Sequence, residues 1–300
     1  MTGALPIRSV AIIGALGNLG IKLLHHLSTQ DTLQRLVGLD VRAVSSQVAA
    51  SLPRVEWVQG DLADWQDRRW REVVAGVDAL VHFAAVNPYP EATWQEAALS
   101  LDLTLHLVNA AVDSGRTQRV VFATSNHVMG RYKDDPLWDS VGPGELSTAL
   151  PPGTGTVWHT GEKQMDSTPY ATAKLYGERV CQAAAARVQG RTTFAAVRIG
   201  WCQPGENQPA TLSAAGTPTQ NRQAGSAEGA MARADRWYRE MWLSNRDFLQ
   251  LFTRALTAEG KDWPGGYVLV NGMSGNRGMK WSLAETRRWL GYEPTDDVYA

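Results

Sequence analysis

A glycine loop placed directly after a short apolar run limits the folds open to this chain. Gly14, Gly17 and Gly20 follow the run Val10-Ala11-Ile12-Ile13 and open a stretch of helical periodicity. Glycine permits a tight turn and a close approach of the chain to a pyrophosphate, and the free N–H groups at a helix N-terminus favour its negative charge. The G-x-x-G-x-x-G spacing is a variant of the dinucleotide fingerprint. Strand, loop and helix together predict a dinucleotide-binding unit.

An acidic residue ends the second predicted strand. Asp40 lies twenty residues beyond Gly20. A carboxylate at this position accepts hydrogen bonds from both ribose hydroxyls of NAD and repels the 2′-phosphate of NADP. We therefore expect NAD as the cofactor. Arg42 is the counter-argument, because a guanidinium there could pair with that phosphate; a solvated loop arginine is the alternative.

Short apolar runs alternate with stretches of helical period over about the first 200 residues. This pattern is typical of a doubly wound α/β fold of the Rossmann type, a parallel sheet covered by helices on both faces. The predicted strands are 9–13, 35–39, 55–59, 79–83, 120–123 and 193–199. The predicted helices are 18–27, 67–75, 91–114 and 170–188.

The character of the chain changes after Cys202. Residues 203–230 are rich in small and polar types and show no sustained periodicity, which predicts a long loop. We expect this loop to reach Arg236 and to act as a lid over the substrate, with Trp201, Trp237 and Trp242 at its base. A surface insertion without function is the alternative.

Two domains are predicted. Residues 1–202 would form the NAD-binding Rossmann domain, and 203–300 the lid-like loop and a smaller substrate-binding lobe. We place helices over 245–256 and 283–290 and a strand over 267–270 in that lobe.

Composition excludes two classes of partner. Lys plus Arg number 29 and Asp plus Glu 30, so no basic field exists to hold a nucleic acid or an anionic membrane. No window reaches the roughly 18 apolar residues of a membrane span, and the start lacks a signal-peptide core. The two cysteines, Cys181 and Cys202, are too few for a disulfide framework. We expect a soluble cytoplasmic protein.

A tyrosine and a lysine stand four residues apart in the helix predicted over 170–188. Tyr170 and Lys174 share one face, and a nearby ammonium lowers the pKa of a phenol from about 10. The pair is a candidate general acid/base, with an ordinary helical pair as the alternative. The fifth predicted strand runs into Ser125, Asn126 and His127, at the sheet edge where ligands bind in such folds.

Other chemistries lack their motifs. The chain has no G-x-S-x-G elbow for a serine hydrolase. Its six histidines, at 25, 26, 82, 106, 127 and 159, show no metal-ligand spacing, so no metal is expected. His82 lies in a buried run and is interpreted as a core histidine. Asp61, after the third strand, could accept a hydrogen bond from the adenine amino group. The alternative is that Asp61 caps a helix.

The chain resembles the extended short-chain dehydrogenase/reductases of the NAD-dependent epimerase/dehydratase superfamily. The residues that carry the likeness are the glycine loop, Asp40, Gly60-Asp61-Leu62, the His-x-Ala-Ala run from His82 to Ala85, Ser125, the Tyr170–Lys174 pair and Leu290-Gly291-Tyr292-x-Pro294. Within that superfamily, Ser125–Gly130, Val197–Gly200 and Met241–Ser244 look most like the uronate dehydrogenases, which oxidise the anomeric carbon of hexuronic acids to lactones with NAD.

The resemblance implies the roles of these residues. Tyr170 would take the substrate hydroxyl proton as hydride leaves for the nicotinamide, while Lys174 would bind the nicotinamide ribose and lower the Tyr170 pKa. Ser125 would hold the reacting oxygen, and Asn126 and His127 would contact other hydroxyls of a sugar, sugar acid or polyol.

The candidate site residues fall into two sets. The cofactor-binding set is Gly14, Gly17, Asn18, Leu19, Gly20, Asp40, Arg42, Asp61, Leu62, Phe83, Ala84, Ala85, Tyr170, Lys174 and Ile199. The substrate-binding set is Asn87, Ser125, Asn126, His127, Tyr170, Trp201, Arg236 and Arg239. Asn87 and Trp201 stand where the uronate branch has serines, and Arg236 and Arg239 are the candidates to hold a substrate carboxylate.

Two other functions are consistent with the same motifs. A nucleotide-sugar epimerase or dehydratase uses the same tyrosine and lysine but retains its NAD. A regulatory protein could sense NAD without turnover. The resemblance also implies a homodimer through the helices predicted over 91–114 and 170–188.

Overall fold

The computed structural model describes residues 7–87, 91–159, 164–212 and 228–300. The strands are β1 (Ser9–Ile13), β2 (Arg35–Asp40), β3 (Val55–Gln59), β4 (Ala79–His82), β5 (Arg119–Ser125), β6 (Val157–His159), β7 (Gln164–Asp166), β8 (Thr193–Ile199) and β9 (Tyr267–Gly272). The α-helices are α1 (Asn18–Ser28), α2 (Ser46–Ser51), α3 (Arg68–Ala75), α4 (Trp94–Ser114), α5 (Thr168–Val188), α6 (Glu228–Glu240), α7 (Asn245–Thr257) and α8 (Ala284–Leu290). Four 3₁₀ helices are described, at Asn126–Lys133, Trp138–Ser140, Pro209–Thr211 and Pro264–Gly266.

Seven strands of the described chain form one parallel sheet in the order β3-β2-β1-β4-β5-β8-β9. All six predicted strands of the first 200 residues are present, and each predicted end lies within two residues of the observed one. The doubly wound α/β fold is therefore confirmed. The order reverses between β1 and β4, and ligands of such folds bind at that crevice.

Two apolar layers cover the sheet because strand side chains alternate between its faces. Val10 and Ile12 of β1 belong to the layer that includes α1 and α7, whereas Ala11 and Ile13 belong to the layer that includes α3, α4 and α5. Burial on both faces explains why these strands are continuous apolar runs rather than alternating ones.

The assignment of the last strand to a second lobe is wrong. β9 pairs in parallel with β8 from Phe194↔Tyr267 to Ile199↔Gly272 and is the edge strand of the main sheet. Its apolar residues Val268 and Val270 are buried in the layer that covers β8. The division of the chain into domains at residue 202 stays a prediction.

The loop predicted over 203–236 is partly helical. Its end forms the first part of α6, because Ala234, Trp237, Tyr238 and Met241 recur at helical spacing and bury one face. A 3₁₀ turn lies at Pro209–Thr211, and residues 213–227 of the predicted lid lie outside the described residues.

The strands β6 and β7 form an antiparallel pair that the sequence did not predict. Trp158 on β6 pairs with Met165 on β7 and is thereby placed near the end of β5, where its ring meets that of His127. Across the described helices, none is long and apolar enough to cross a membrane.

Candidate active site

The glycine loop is shaped by the absence of side chains. Gly14 has a φ of +81°, and a Cβ there would lie 2.7 Å from the backbone nitrogen of Ala84. A Cβ on Gly20 would lie 2.6 Å from the carbonyl oxygen of Gly14. Gly17 is the N-cap of α1, where no side chain caps the helix and no acid stands in the first turn. The loop therefore leaves a cradle in which helix N–H groups can meet a phosphate, so it fits a dinucleotide.

Asp40 lies beside this cradle at the end of β2. Its carboxylate accepts hydrogen bonds from the backbone N–H of Leu16 at 2.9 Å and from Nε of Arg42 at 2.9 Å. Burial disfavours the charged form, but the hydrogen bonds from Arg42 and Leu16 outweigh burial and hold the pKa of Asp40 below its usual value. Asp40 is thus a fixed anion next to the glycine loop.

Arg42 matches neither of the two alternatives completely, namely a partner for the 2′-phosphate or a solvated loop arginine. Its guanidinium is 61% exposed, yet it bonds both oxygens of Asp40, with the second bond at 3.2 Å. The guanidinium is therefore partly neutralised by the acid that is expected to accept the ribose hydroxyls.

The ends of β3 and β4 complete the expected cofactor cleft. Leu62 is buried, whereas Phe83, Ala84 and Ala85 are half-buried at the end of β4. The helix-cap alternative for Asp61 is wrong, because Asp67 caps α3 and Asp61 accepts from the N–H of Ala63.

Asn18 and Leu19 occupy the first turn of α1. The amide of Asn18 donates to the carbonyl of Cys202 at 2.9 Å, which ties the glycine loop to the chain just beyond Ile199. Leu19 packs against the apolar layer of α1, as Ile199 does at the end of β8. The structure thus brings the glycine loop and the end of β8 together.

Ser125, Tyr170 and Lys174 meet at the carboxyl end of β5. Ser125 lies close enough to Tyr170 for hydrogen bonding between the two side chains to act on the Tyr170 pKa. Lys174 Nζ donates to the carbonyl of Ala123 at 2.9 Å and lies 5.8 Å from the centroid of the Tyr170 ring. Helix α5 approaches β5 this closely because position 177 is glycine, where a Cβ would lie 2.4 Å from the Phe122 ring.

The pKa values of this group differ from the expectation that Lys174 lowers the pKa of Tyr170. Burial raises the pKa of Tyr170, and the hydrogen bond from Ser125 opposes that effect without overcoming it. Burial also lowers the pKa of Lys174 to about 8. Burial, and not the charge of Lys174, sets the direction of the Tyr170 pKa shift.

The two histidines near the site are neutral at pH 7. His127 is buried, its Nδ1 bonds the hydroxyl of Ser167 at 2.7 Å, and burial lowers its pKa to about 4. The Nε2 of His82 bonds the Thr104 hydroxyl at 3.0 Å, in agreement with a core histidine, and burial with the charge of Lys174 lowers its pKa to about 3.

The other predicted substrate residues divide by position. His127 meets the Tyr170 ring edge-on at a centroid distance of 5.8 Å, and Asn126 donates to the carbonyl of Ile199 at 3.0 Å. Trp201 exchanges backbone hydrogen bonds with Met241 and Leu243. His127 therefore lies beside Tyr170, Asn126 lies at the end of β8, and Trp201 joins the chain after β8 to α6.

Arg236 and Arg239 lie elsewhere on α6. The Nε of Arg236 bonds the Glu240 carboxylate at 2.6 Å, and its Nη2 donates to the carbonyl of Gly278 at 3.2 Å. Both arginines act electrostatically on Tyr299, near the end of the chain. The structure thus does not bring these two residues to Tyr170. Asn87 donates to Glu96 at 3.3 Å, beside the start of α4.

Sequence reasoning missed three residues near the site, Ser167, Glu178 and Trp158. Ser167 holds His127, and Glu178 lies behind Lys174 on α5 with a bond to Thr124. The four-residue spacing from Lys174 to Glu178 was a usable signal. No sequence signal pointed to Trp158, because only the pairing of β6 with β7 brings it close to His127. No cluster of three or more potential metal ligands occurs in the described residues.

A glycine cradle, a fixed acid and a Tyr–Lys–Ser group at the same sheet edge define a dinucleotide-binding Rossmann protein with a site for proton transfer. The chain belongs to the NAD dependent epimerase/dehydratase family, whose model matches residues 10–200.

Individual relatives extend over nearly the whole chain. It is 28% identical to a uronate dehydrogenase of Pseudomonas putida, over 97% of this chain and 85% of the relative. It is 29% identical to an L-arabinose 1-dehydrogenase (NAD(P)(+)) of Haloferax volcanii, over 96% of each. A solved structure of a mutated uronate dehydrogenase, 23% identical, superposes with a TM-score of 0.67 over 98% of this chain and 83% of that one, which supports the fold.

Proposed function

We propose that this protein is an NAD-dependent oxidoreductase that transfers hydride between a carbon of a sugar, sugar acid or related polyol and the nicotinamide. The observation that carries the proposal is the convergence of Tyr170, Ser125 and Lys174 at the carboxyl end of β5, on the sheet edge that also holds the glycine loop. The named activities of the two relatives agree with this chemistry.

The chain's own residues supply the proton chemistry. In the oxidation, the phenolate form of Tyr170 takes the proton of the substrate hydroxyl, while Ser125 holds the substrate oxygen by a hydrogen bond. The substrate C–H and O–H bonds break and a C=O bond forms. NAD, when bound, supplies the hydride acceptor.

Lys174 would hold the cofactor. The Ala123 carbonyl uses one of the three N–H donors of the ammonium, which leaves donors for the nicotinamide ribose. The glycine loop would hold the pyrophosphate, and Asp40 the adenosine ribose, with NAD preferred to NADP.

Assembly as a homodimer is part of the proposal. Helices α4 and α5 pack side by side and present exposed apolar side chains, Leu99 and Tyr176. A pair of such helices from two copies would bury these side chains.

Light scattering after gel filtration should give twice the 32.8 kDa chain mass, and the variant Leu99→Glu should shift the measured mass towards that of the monomer. A monomeric wild-type protein would contradict the dimer.

The test of the activity is NADH formation, followed by its near-ultraviolet absorbance, with NAD and a panel of sugars, uronates and polyols. Stoichiometric NADH release supports a dehydrogenase. An epimerase would interconvert sugars without releasing NADH, and a sensor would bind NAD without any product. Either of those results would overturn the proposed activity.

A further inference from the structure

A row of aromatic rings extends from Tyr170 towards α6. We call His127, Trp158, Tyr238 and Trp201 the aromatic row. Neighbouring ring centroids lie 6.3 Å apart for His127–Trp158, 5.3 Å for Trp158–Tyr238 and 5.9 Å for Tyr238–Trp201. Because His127 also meets Tyr170 edge-on at 5.8 Å, the row begins at the proposed proton acceptor. Four different segments of the chain contribute to it, namely the ends of β5 and β8, strand β6 and helix α6.

Three buried polar atoms on or beside the aromatic row have no hydrogen-bond partner in the part of the chain that the structure describes. They are Oδ1 of Asn126, Nε1 of Trp158 and the hydroxyl of Tyr238. A buried polar group without a partner costs about 1–3 kcal/mol, so each such group in a native protein needs an explanation. One acceptor, one donor and one hydroxyl match the groups that a sugar presents.

Among the residues that the structure describes, the charges near the aromatic row disfavour an anion. His127 is neutral at pH 7, since burial lowers its pKa to about 4. The carboxylate of Asp134 lies close enough to Tyr238 to act on it electrostatically. A substrate carboxylate is normally bound by charge-assisted hydrogen bonds from arginine or lysine.

The arginine expected to bind a carboxylate is turned to the other side of α6. Arg236 and Tyr238 are two residues apart, which is a rotation of about 200° around an α-helix. Arg236 accordingly pairs with Glu240, while Tyr238 joins the aromatic row. Arg233, one turn earlier, pairs with Asp135 at 3.0 Å.

We propose that the substrate is an uncharged aldose, in preference to the corresponding uronate. The apolar face of its ring would lie on the aromatic row, as amphipathic aromatic rings suit. Its hydroxyls would pair with Asn126, Trp158 and Tyr238. This inference rests on the proposed function, because it names the substrate class of the same site.

Matched pairs of sugars test the inference directly. D-galactose and D-galacturonate, or D-glucose and D-glucuronate, differ only in whether carbon 6 is an alcohol or a carboxylate. We expect kcat/KM with NAD to be higher for the aldose of each pair by about tenfold or more. A uronate that is oxidised as well or better overturns the inference and leaves the dehydrogenase activity standing. If no member of any pair yields NADH, the proposed function fails and the inference with it.

Tyr238→Phe tests the role of the aromatic row, because it removes the hydroxyl and keeps the ring. We expect KM for the aldose to rise several-fold and KM for NAD to stay unchanged. Removing an unpartnered buried hydroxyl should leave the melting temperature of the free protein equal or higher. Tyr299→Phe, at an exposed tyrosine near the end of the chain, is the matched control. An unchanged aldose KM in Tyr238→Phe would remove this residue from the substrate site.

Discussion

Arg198 makes two hydrogen bonds of 2.8 Å to the carboxylate of Glu178, and both side chains are fully buried. The hydroxyl of Thr124 donates to the same carboxylate at 2.8 Å. Arg198 and Thr124 are register partners on β8 and β5, and each immediately precedes a site residue, Ile199 or Ser125. The network therefore fixes α5, which carries Tyr170 and Lys174, against the strand ends that carry Ser125 and Ile199.

Glu178→Gln should destabilise the protein strongly. It leaves Arg198 as an uncompensated buried charge, and breaking a buried pair in this way costs about 3–5 kcal/mol. Urea unfolding measures the difference. Replacing both residues by methionine should restore most of the stability, since an apolar pair of similar volume is often neutral or better. The exposed pair Arg68–Glu72 provides the control, because Glu72→Gln should change the free energy of unfolding by less than about 1 kcal/mol. Equal effects at Glu178 and Glu72 would contradict this account.

Lys174→Met should alter how stability depends on pH. The pKa of Lys174 is about 8 in the folded protein against 10.5 for the ordinary side chain, so burial penalises its charged form. Between these values the unfolded chain binds more protons, and wild-type stability therefore rises with pH relative to the methionine variant. We expect the variant to be the more stable by about 3 kcal/mol at pH 7 and the difference to shrink towards pH 10. A difference that does not change with pH would contradict the lowered pKa.

Asp40 should make NAD a better substrate than NADP by at least about tenfold in kcat/KM, or about 1.4 kcal/mol. The acid is fixed by Leu16 and Arg42 and is ionised at neutral pH. Asp40→Asn should reduce this preference, whereas Arg42→Ala should preserve it. If NADP is used equally well by the wild-type protein, Arg42 and not Asp40 governs the choice.

Gly14→Ala should abolish NAD binding. The new Cβ would lie 2.7 Å from the backbone of Ala84, at a φ of +81° that alanine rarely adopts. Gly144→Ala is the matched control, because Gly144 also has a positive φ but no atom within 4 Å of the added Cβ. Calorimetric titration with NAD should show binding in the control and none in Gly14→Ala. Normal affinity in both variants would show that the cradle does not depend on Gly14.

The sequence predicted the sheet well because each central strand is buried on both faces and reads as a continuous apolar run, as in Val10–Ile13. The same signal failed for the placement of β9, since a short apolar run does not tell which strand it pairs with. The sequence predicts a loop where the first turns of α6 lie, because small and polar residues precede Trp237. The Tyr170–Lys174 pair was visible as a local spacing.

The remaining site features depend on contacts between distant parts of the chain. Trp158 reaches His127 only because β6 and β7 pair. Its position in the sequence alone made Arg236 a candidate to bind a substrate carboxylate. Its pairing with Glu240 instead follows from the way α6 packs. The direction of the Tyr170 pKa shift likewise depends on burial, which no spacing reveals.

The most direct test of the central claim is the rate of NADH formation by Tyr170→Phe against the wild-type protein, with NAD and the best sugar substrate. The ring still packs but can no longer take a proton, so we expect kcat to fall by about a hundredfold to ten-thousandfold while the affinity for NAD stays within a few fold. A Tyr170→Phe variant that forms NADH at a rate close to wild type would contradict the assignment of Tyr170 as the proton acceptor.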